Sequence, residues 1–214
     1  MSGALVVCAA AAAVLAAPPP PVAAVDEASV LRLLEPEPDF DGLKRLGPGV
    51  MPALVSLYAR SGVTRRTGLA AVFYRLGFES AEAKRALMQD IRTDDETLRL
   101  NVQWALGRVS GDPDVVDVLL DTMRHDRNPL FRDKAACALA HDQIHLTEEQ
   151  KIRLYERLIA ALRDPKLQVR EIALQALRIH TGQTKDFSPG GSPAEREAAI
   201  GGWERWLDEY RSNL

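Results

Sequence analysis

Three stretches of this chain repeat one pattern in register, and that repetition limits the fold more than any other feature. Leu98-Arg99 is followed by Val102, Ala105 and Leu106; Phe131-Arg132 by Ala135, Ala138 and Leu139; Val169-Arg170 by Ala173, Ala176 and Leu177. The three arginines are 33 and then 38 residues apart. Apolar residues spaced by three and four fall on one face of a helix. The alanines let a neighbouring helix approach closely, and the leucine after them fills the space between. A period of this length makes each copy a supersecondary unit that cannot bury its apolar face alone, so the copies stack into an array. In two copies an aspartate stands six residues before the arginine, Asp126 before Arg132 and Asp164 before Arg170; the first copy has Thr93 there, beside Asp94 and Asp95.

From Asp26 onward the chain has no sustained apolar-polar alternation and no Asn-Gly hairpin signal. Asp112-Pro113, Asn128-Pro129 and Asp164-Pro165 each pair a capping side chain with a proline suited to a first helical position. Thr147 with Gln150, and Ser192 with Glu195, read as capping boxes, and Gly62, Gly77, Gly111 and Gly182 stand where helices should stop. Helices are predicted over residues 49–60, 64–76, 81–91, 96–109, 113–124, 129–140, 148–162, 166–179 and 193–210. The short links between them make neighbouring helices antiparallel. The expected fold is all-α: an α-solenoid of about four antiparallel helix hairpins over residues 49–181. Residues 25–48 form an irregular or short helical lead-in, interrupted at Glu35-Pro36-Glu37-Pro38. Residues 182–214 form a loop and a capping helix. On that helix Trp203, Leu207 and Tyr210 fall at i, i+4 and i+7, with Trp206 beside them, an aromatic stripe able to cover the last open face of a stack.

The pattern resembles HEAT repeats, in which paired helices carry a turn aspartate, an arginine at the start of the second helix and an Ala-Leu face. Three second helices match well over residues 49–179, and the helix at 64–76, with Arg65 and Arg66, matches less closely. The resemblance implies that Asp126, Asp164, Arg99, Arg132 and Arg170 form a ladder between repeats, and that the second helices line a concave surface. Leu177-Arg178, Thr181-Gly182-Gln183, Phe187, Pro189, Arg196, Ala198-Ala199, Trp203 and Trp206 look like the closing segment of HEAT-type proteins inferred from bacterial genomes.

Charge is unevenly placed. The chain has 27 Lys and Arg against 30 Asp and Glu, and none of them lies in residues 1–25. A net charge of -3 excludes a dedicated nucleic-acid binder, which needs a strong basic excess. Ala4 to Ala17 is an uncharged apolar run followed by four prolines, too short to span a membrane. It reads as the apolar core of a secretory signal, with small residues for cleavage after Ala24, which places the protein in the periplasm or cell envelope. The alternative is an Ala/Pro-rich tail on a cytoplasmic protein. With the signal removed, Cys137 is the one cysteine left and forms no internal disulfide.

No catalytic constellation stands out. Gly47-Pro48-Gly49 lacks the Lys-Ser/Thr of a phosphate loop, and no Gly-x-Ser-x-Gly elbow or His-Glu dipeptide occurs. Cys137, His141 and His145 are spaced by four and would line one face of a continuous helix, a weak zinc-site pattern. The helix is expected to end near Ala140, which would put both histidines in a loop. Residues 48–92 hold seven positive and three negative side chains, and residues 93–126 hold three positive and eight negative, the pattern of a bipolar surface. Trp104 aligns with Cys137 and Gln175 in the repeat register. A large aromatic at that position is a candidate anchor for a protein partner, with Asn101, Gln103, Asp133 and Lys134 as its polar surroundings. Burial against an adjacent helix is the competing fate. The expected function is therefore a non-enzymatic protein-interaction or scaffold module without cofactor or small-molecule substrate. The alternative is a metal-binding or enzymatic accessory subunit using Cys137, His141 and His145.

Overall fold

The computed structural model describes residues 25–214; the proposed signal segment, residues 1–24, lies outside the described residues. Eleven α-helices follow one another among the described residues. They are α1 Glu27–Leu34, α2 Phe40–Leu46, α3 Met51–Ala59, α4 Val63–Leu76, α5 Ala81–Asp90, α6 Glu96–Val109, α7 Pro113–His125, α8 Pro129–His141, α9 Glu148–Ala161, α10 Leu167–Thr181 and α11 Pro193–Ser212, with a single 3-10 turn, Gly47–Val50, before α3. The lead-in is helical and packed: Val30 and Leu34 of α1 and Leu43 of α2 are buried.

Local chemistry sets the helix ends. Thr147 with Gln150, and Ser192 with Glu195, form complete capping boxes at α9 and α11. Asn128 accepts from the N–H of Leu130 at α8. Gly77 and Gly182 close α4 and α10 in the left-handed conformation, which costs a residue without Cβ little. Two sequence expectations need correcting. Asp112 precedes Pro113 but makes no cap bond, because Lys84 of α5 takes its carboxylate at 2.6 Å. Pro165 lies in the turn rather than at the first position of α10; Asp164 there accepts from the N–H of Lys166, and the helix opens at Leu167.

The helices form two layers. In one, α1 packs on α3, α3 on α5, α7 on α9 and α9 on α11; in the other, α2 packs on α4, α4 on α6, α6 on α8 and α8 on α10. The second helices contact one another more extensively than the first helices do. Closer spacing in one layer bends a stack toward it, so the second-helix layer is the concave one. Leu98, Val102, Ala105 and Leu106 of α6 are buried, and so are their counterparts in α8 and α10. Helix α4 belongs to the same register: Leu69, Val72 and Phe73 occupy these positions, 33 residues before α6, and are also buried.

Arginines at the start of the second helices tie successive turns together. Arg99 pairs with Asp126 and also donates from Nε to the carbonyl of Ile91 at 3.2 Å. Arg66 meets Asp90 at 3.3 Å, and Tyr58 donates to the same carboxylate at 2.7 Å. Asp90 thus supplies the aspartate that is missing at Thr93; it ends α5 and stands nine residues before Arg99, where Asp126 follows α7 and stands six before Arg132. Arg132 does not reach Asp164. It donates to the carbonyl of Asp126 at 2.8 Å and to Gln168 Oε1 at 2.5 and 3.0 Å. Asp164 is held instead by Arg124 of α7, at 3.2 Å. Arg170 donates to the carbonyls of Asp164 and Pro189, each at 2.8 Å.

The stack is closed at its C-terminal end by two pieces. The loop after α10 turns through Lys185 and Asp186, both at positive φ, and buries Phe187. Helix α11 lies on α9. Trp203 and Leu207 are buried, while Trp206 stacks on Tyr210 at 5.4 Å and both rings meet Tyr155 of α9.

Candidate partner-binding surface

Helix α6 presents Trp104 on the second-helix layer. Asp95 caps the helix by accepting from the N–H of Leu98 at 2.8 Å. Trp104 is half-buried: one part of the indole packs on the core and the other meets solvent. Asn101, one turn earlier, bonds the carbonyl of Thr97 and is also half-exposed. On α8, Asp133 and Lys134 pair with each other at 2.9 Å and remain partly exposed. All four side chains are partly exposed on second helices.

Gln103 is not. It is fully buried, and neither its amide oxygen nor its nitrogen has a hydrogen-bond partner among the described residues. Its register mates are Ala70, Ala136 and Leu174, so position 103 faces the seam between second helices rather than solvent. The sequence marks it as surface because an amide on a helix reads as polar; the register overrides that.

The connector between α8 and α9 packs on the same helix. Gly107 lets it approach: a Cβ there would lie 2.7 Å from the carbonyl of Asp142. At Gly111 a Cβ would lie 2.6 Å from the carbonyl of His145. His145 Nε2 is 3.0 Å from the carbonyl of Arg108 and 3.1 Å from that of Gly77. Both partners only accept, so Nε2 carries the proton. Asp142 is buried, which pushes its carboxyl up to about 6 against the opposing influence of the Arg108 guanidinium and the Tyr74 hydroxyl.

Cys137 and His141 lie one turn apart on α8, lining a groove of about 110 Å³ against Ile172, Gln175 and Ile179 of α10. His141 is the last residue of α8, so the helix runs one residue past the expected end. His145 is held elsewhere by its two carbonyls, so the structure does not bring the three proposed metal ligands together. Among the described residues no three His, Cys, Asp or Glu side chains are grouped to hold a metal ion. Burial pushes the Cys137 thiol up, and Asp133 adds to that shift. The protonated thiol is a poor nucleophile at neutral pH.

Residues 50–140, which take in α3 to α7 and nearly all of α8, match the family model of HEAT repeats. Residues 50–140 of the chain are HEAT repeats. No curated protein matches it. HEAT repeats generally mediate protein interaction or scaffolding and are typically non-catalytic. The paired-helix register continues past the matched segment into α9 and α10, where Val169, Ala173, Ala176 and Leu177 occupy the repeat positions. No helix among the described residues is long and apolar enough to cross a membrane.

Proposed function

We propose that the protein is a non-catalytic interaction module that docks a protein partner on its second-helix layer. Trp104 is the centre of the contact, with Asn101, Asp133 and Lys134 around it. The observation that carries this reading is the partly exposed indole on the concave layer, in a register where the other copies place Ala71, Cys137 and Gln175. Large aromatics flanked by polar side chains supply much of the binding energy at protein interfaces. The test is Trp104→Ala. The variant should melt within about 4 °C of the parent, since half a side chain's packing is worth on the order of 1 kcal/mol. It should lose its co-purifying partner in native cells, by about thirtyfold in affinity. A larger fall in melting temperature with the partner retained would make Trp104 a core residue and remove the docking face.

The uncharged run before Val25 supports export to the periplasm or cell envelope. Intact mass of the protein recovered from fractionated native cells tests it. Loss of residues 1–24 outside the cytoplasm is the expected result; full-length protein in the cytosol contradicts it.

A further inference from the structure

The C-terminal turns of three helices in the concave layer meet at one opening. Lys44 of α2, Arg75 of α4 and Arg108 of α6 line an open cavity of about 640 Å³, whose wall also includes Phe40, Asp41 and Tyr74. Each cation sits in the last turn of its helix, where the helix dipole favours positive charge. The fold brings the three ends together, and the positive charge with them.

Among the described residues Lys44 and Arg75 form no ion pair, and Arg108 donates to the carbonyl of Tyr74 at 3.3 Å, with the buried Asp142 carboxyl near enough to feel its charge. Two of the three are held in orientation. The Arg75 guanidinium lies over Phe40 with its centre 5.3 Å from the ring, and that of Arg108 lies over Tyr74 at 5.0 Å. Stacking of this kind fixes the guanidinium plane and leaves its N–H fork free for a carboxylate. Of the three nearby acids, Asp39 is already committed: it accepts from the N–H of Gly42 at 2.8 Å and lies 3.9 Å from Arg45. Asp41 and the buried Asp142 remain against Lys44, Arg75 and Arg108, so the opening still carries a positive excess. Arg108 follows Trp104 by one helical turn on α6, which makes the cavity continuous with the proposed docking face.

We propose that this cavity receives an acidic segment of the partner, its carboxylates held by Lys44, Arg75 and Arg108 and its apolar atoms set against Phe40 and Tyr74. The assignment rests on the docking face proposed above. Aromatic walls and a broad mouth suit a peptide better than a small free anion.

Anisotropy of labelled peptides added to the purified protein is the test. A Glu-rich peptide with interspersed apolar residues should bind about tenfold tighter than its Gln or Lys analogues and weaken as salt is raised. Lys44→Gln with Arg75→Gln should erase that preference without moving the melting temperature, since both side chains are exposed. Asp41→Asn should strengthen acidic binding. Equal binding of all three peptides would overturn the assignment, as would a preference that survives the double substitution. Displacement by inorganic phosphate at concentrations that do not change general screening would mark a small-anion site and also overturn it. If the acidic peptide fails while Trp104→Ala still loses its partner, the cavity assignment falls and the docking face stands; if Trp104→Ala keeps its partner, the docking face itself falls.

Discussion

Helices α6 and α8 meet directly in the concave layer, whereas α5 and α7, at the same point along the stack, are joined mainly by charge. The second helices bury Val102, Ala105, Leu106, Ala135, Ala138 and Leu139. Between α5 and α7, Lys84 reaches Asp112 and Asp114 at 2.6 and 3.0 Å, and Arg92 reaches Asp121 at 2.9 Å. Apolar packing is short-ranged and unforgiving of volume change, whereas partly exposed ion pairs are weak and stretch without large cost. The concave layer is therefore the spine of the molecule, and the other layer is the more loosely joined of the two.

That contrast orders the expected effects. Leu106→Ala should be the most damaging, at about 3 kcal/mol by denaturant unfolding, because it opens a cavity in the spine. A loss under about 1 kcal/mol would mean the spine is loosely packed.

Asp142→Asn comes next and has a pH signature. Its carboxyl is raised in the folded state, so its stabilising contribution is full below the unfolded value near 4 and is lost as pH rises through about 6. The parent should lose on the order of 2 kcal/mol relative to Asp142→Asn between those limits. Parallel stability curves for the two proteins would show that Asp142 is not shifted.

Lys84→Met, on the more loosely joined side, should cost only about 1 kcal/mol, and less in high salt. A salt-independent loss as large as that of Leu106→Ala would erase the distinction between the layers.

Much of this was legible in the sequence. Helices α3 to α11 announce themselves through caps and periodicity, and the closing aromatics through their spacing. Helices α1 and α2 show only as a short helical or irregular lead-in, because eight and seven residues among prolines carry too few turns to set a period. The fourth register copy is less plain because Leu69 and Val72 stand where the others have valine or alanine, and Phe73 where they have leucine. The burial of Gln103 and the rung at Asp90 have no local signal, because seam and rung positions depend on neighbouring helices and turn lengths. The cation cavity leaves no local motif at all: Lys44, Arg75 and Arg108 come from three repeats, and only stacking brings them together.

The most direct test of a docking face on the concave layer is photo-cross-linking in native cells. A photoreactive residue in place of Asn101, on α6, is compared with one in place of Gln89, exposed on α5. The account predicts a discrete partner adduct from position 101 and little or none from position 89. Equal adducts from both, or adducts from position 89 alone, would contradict it.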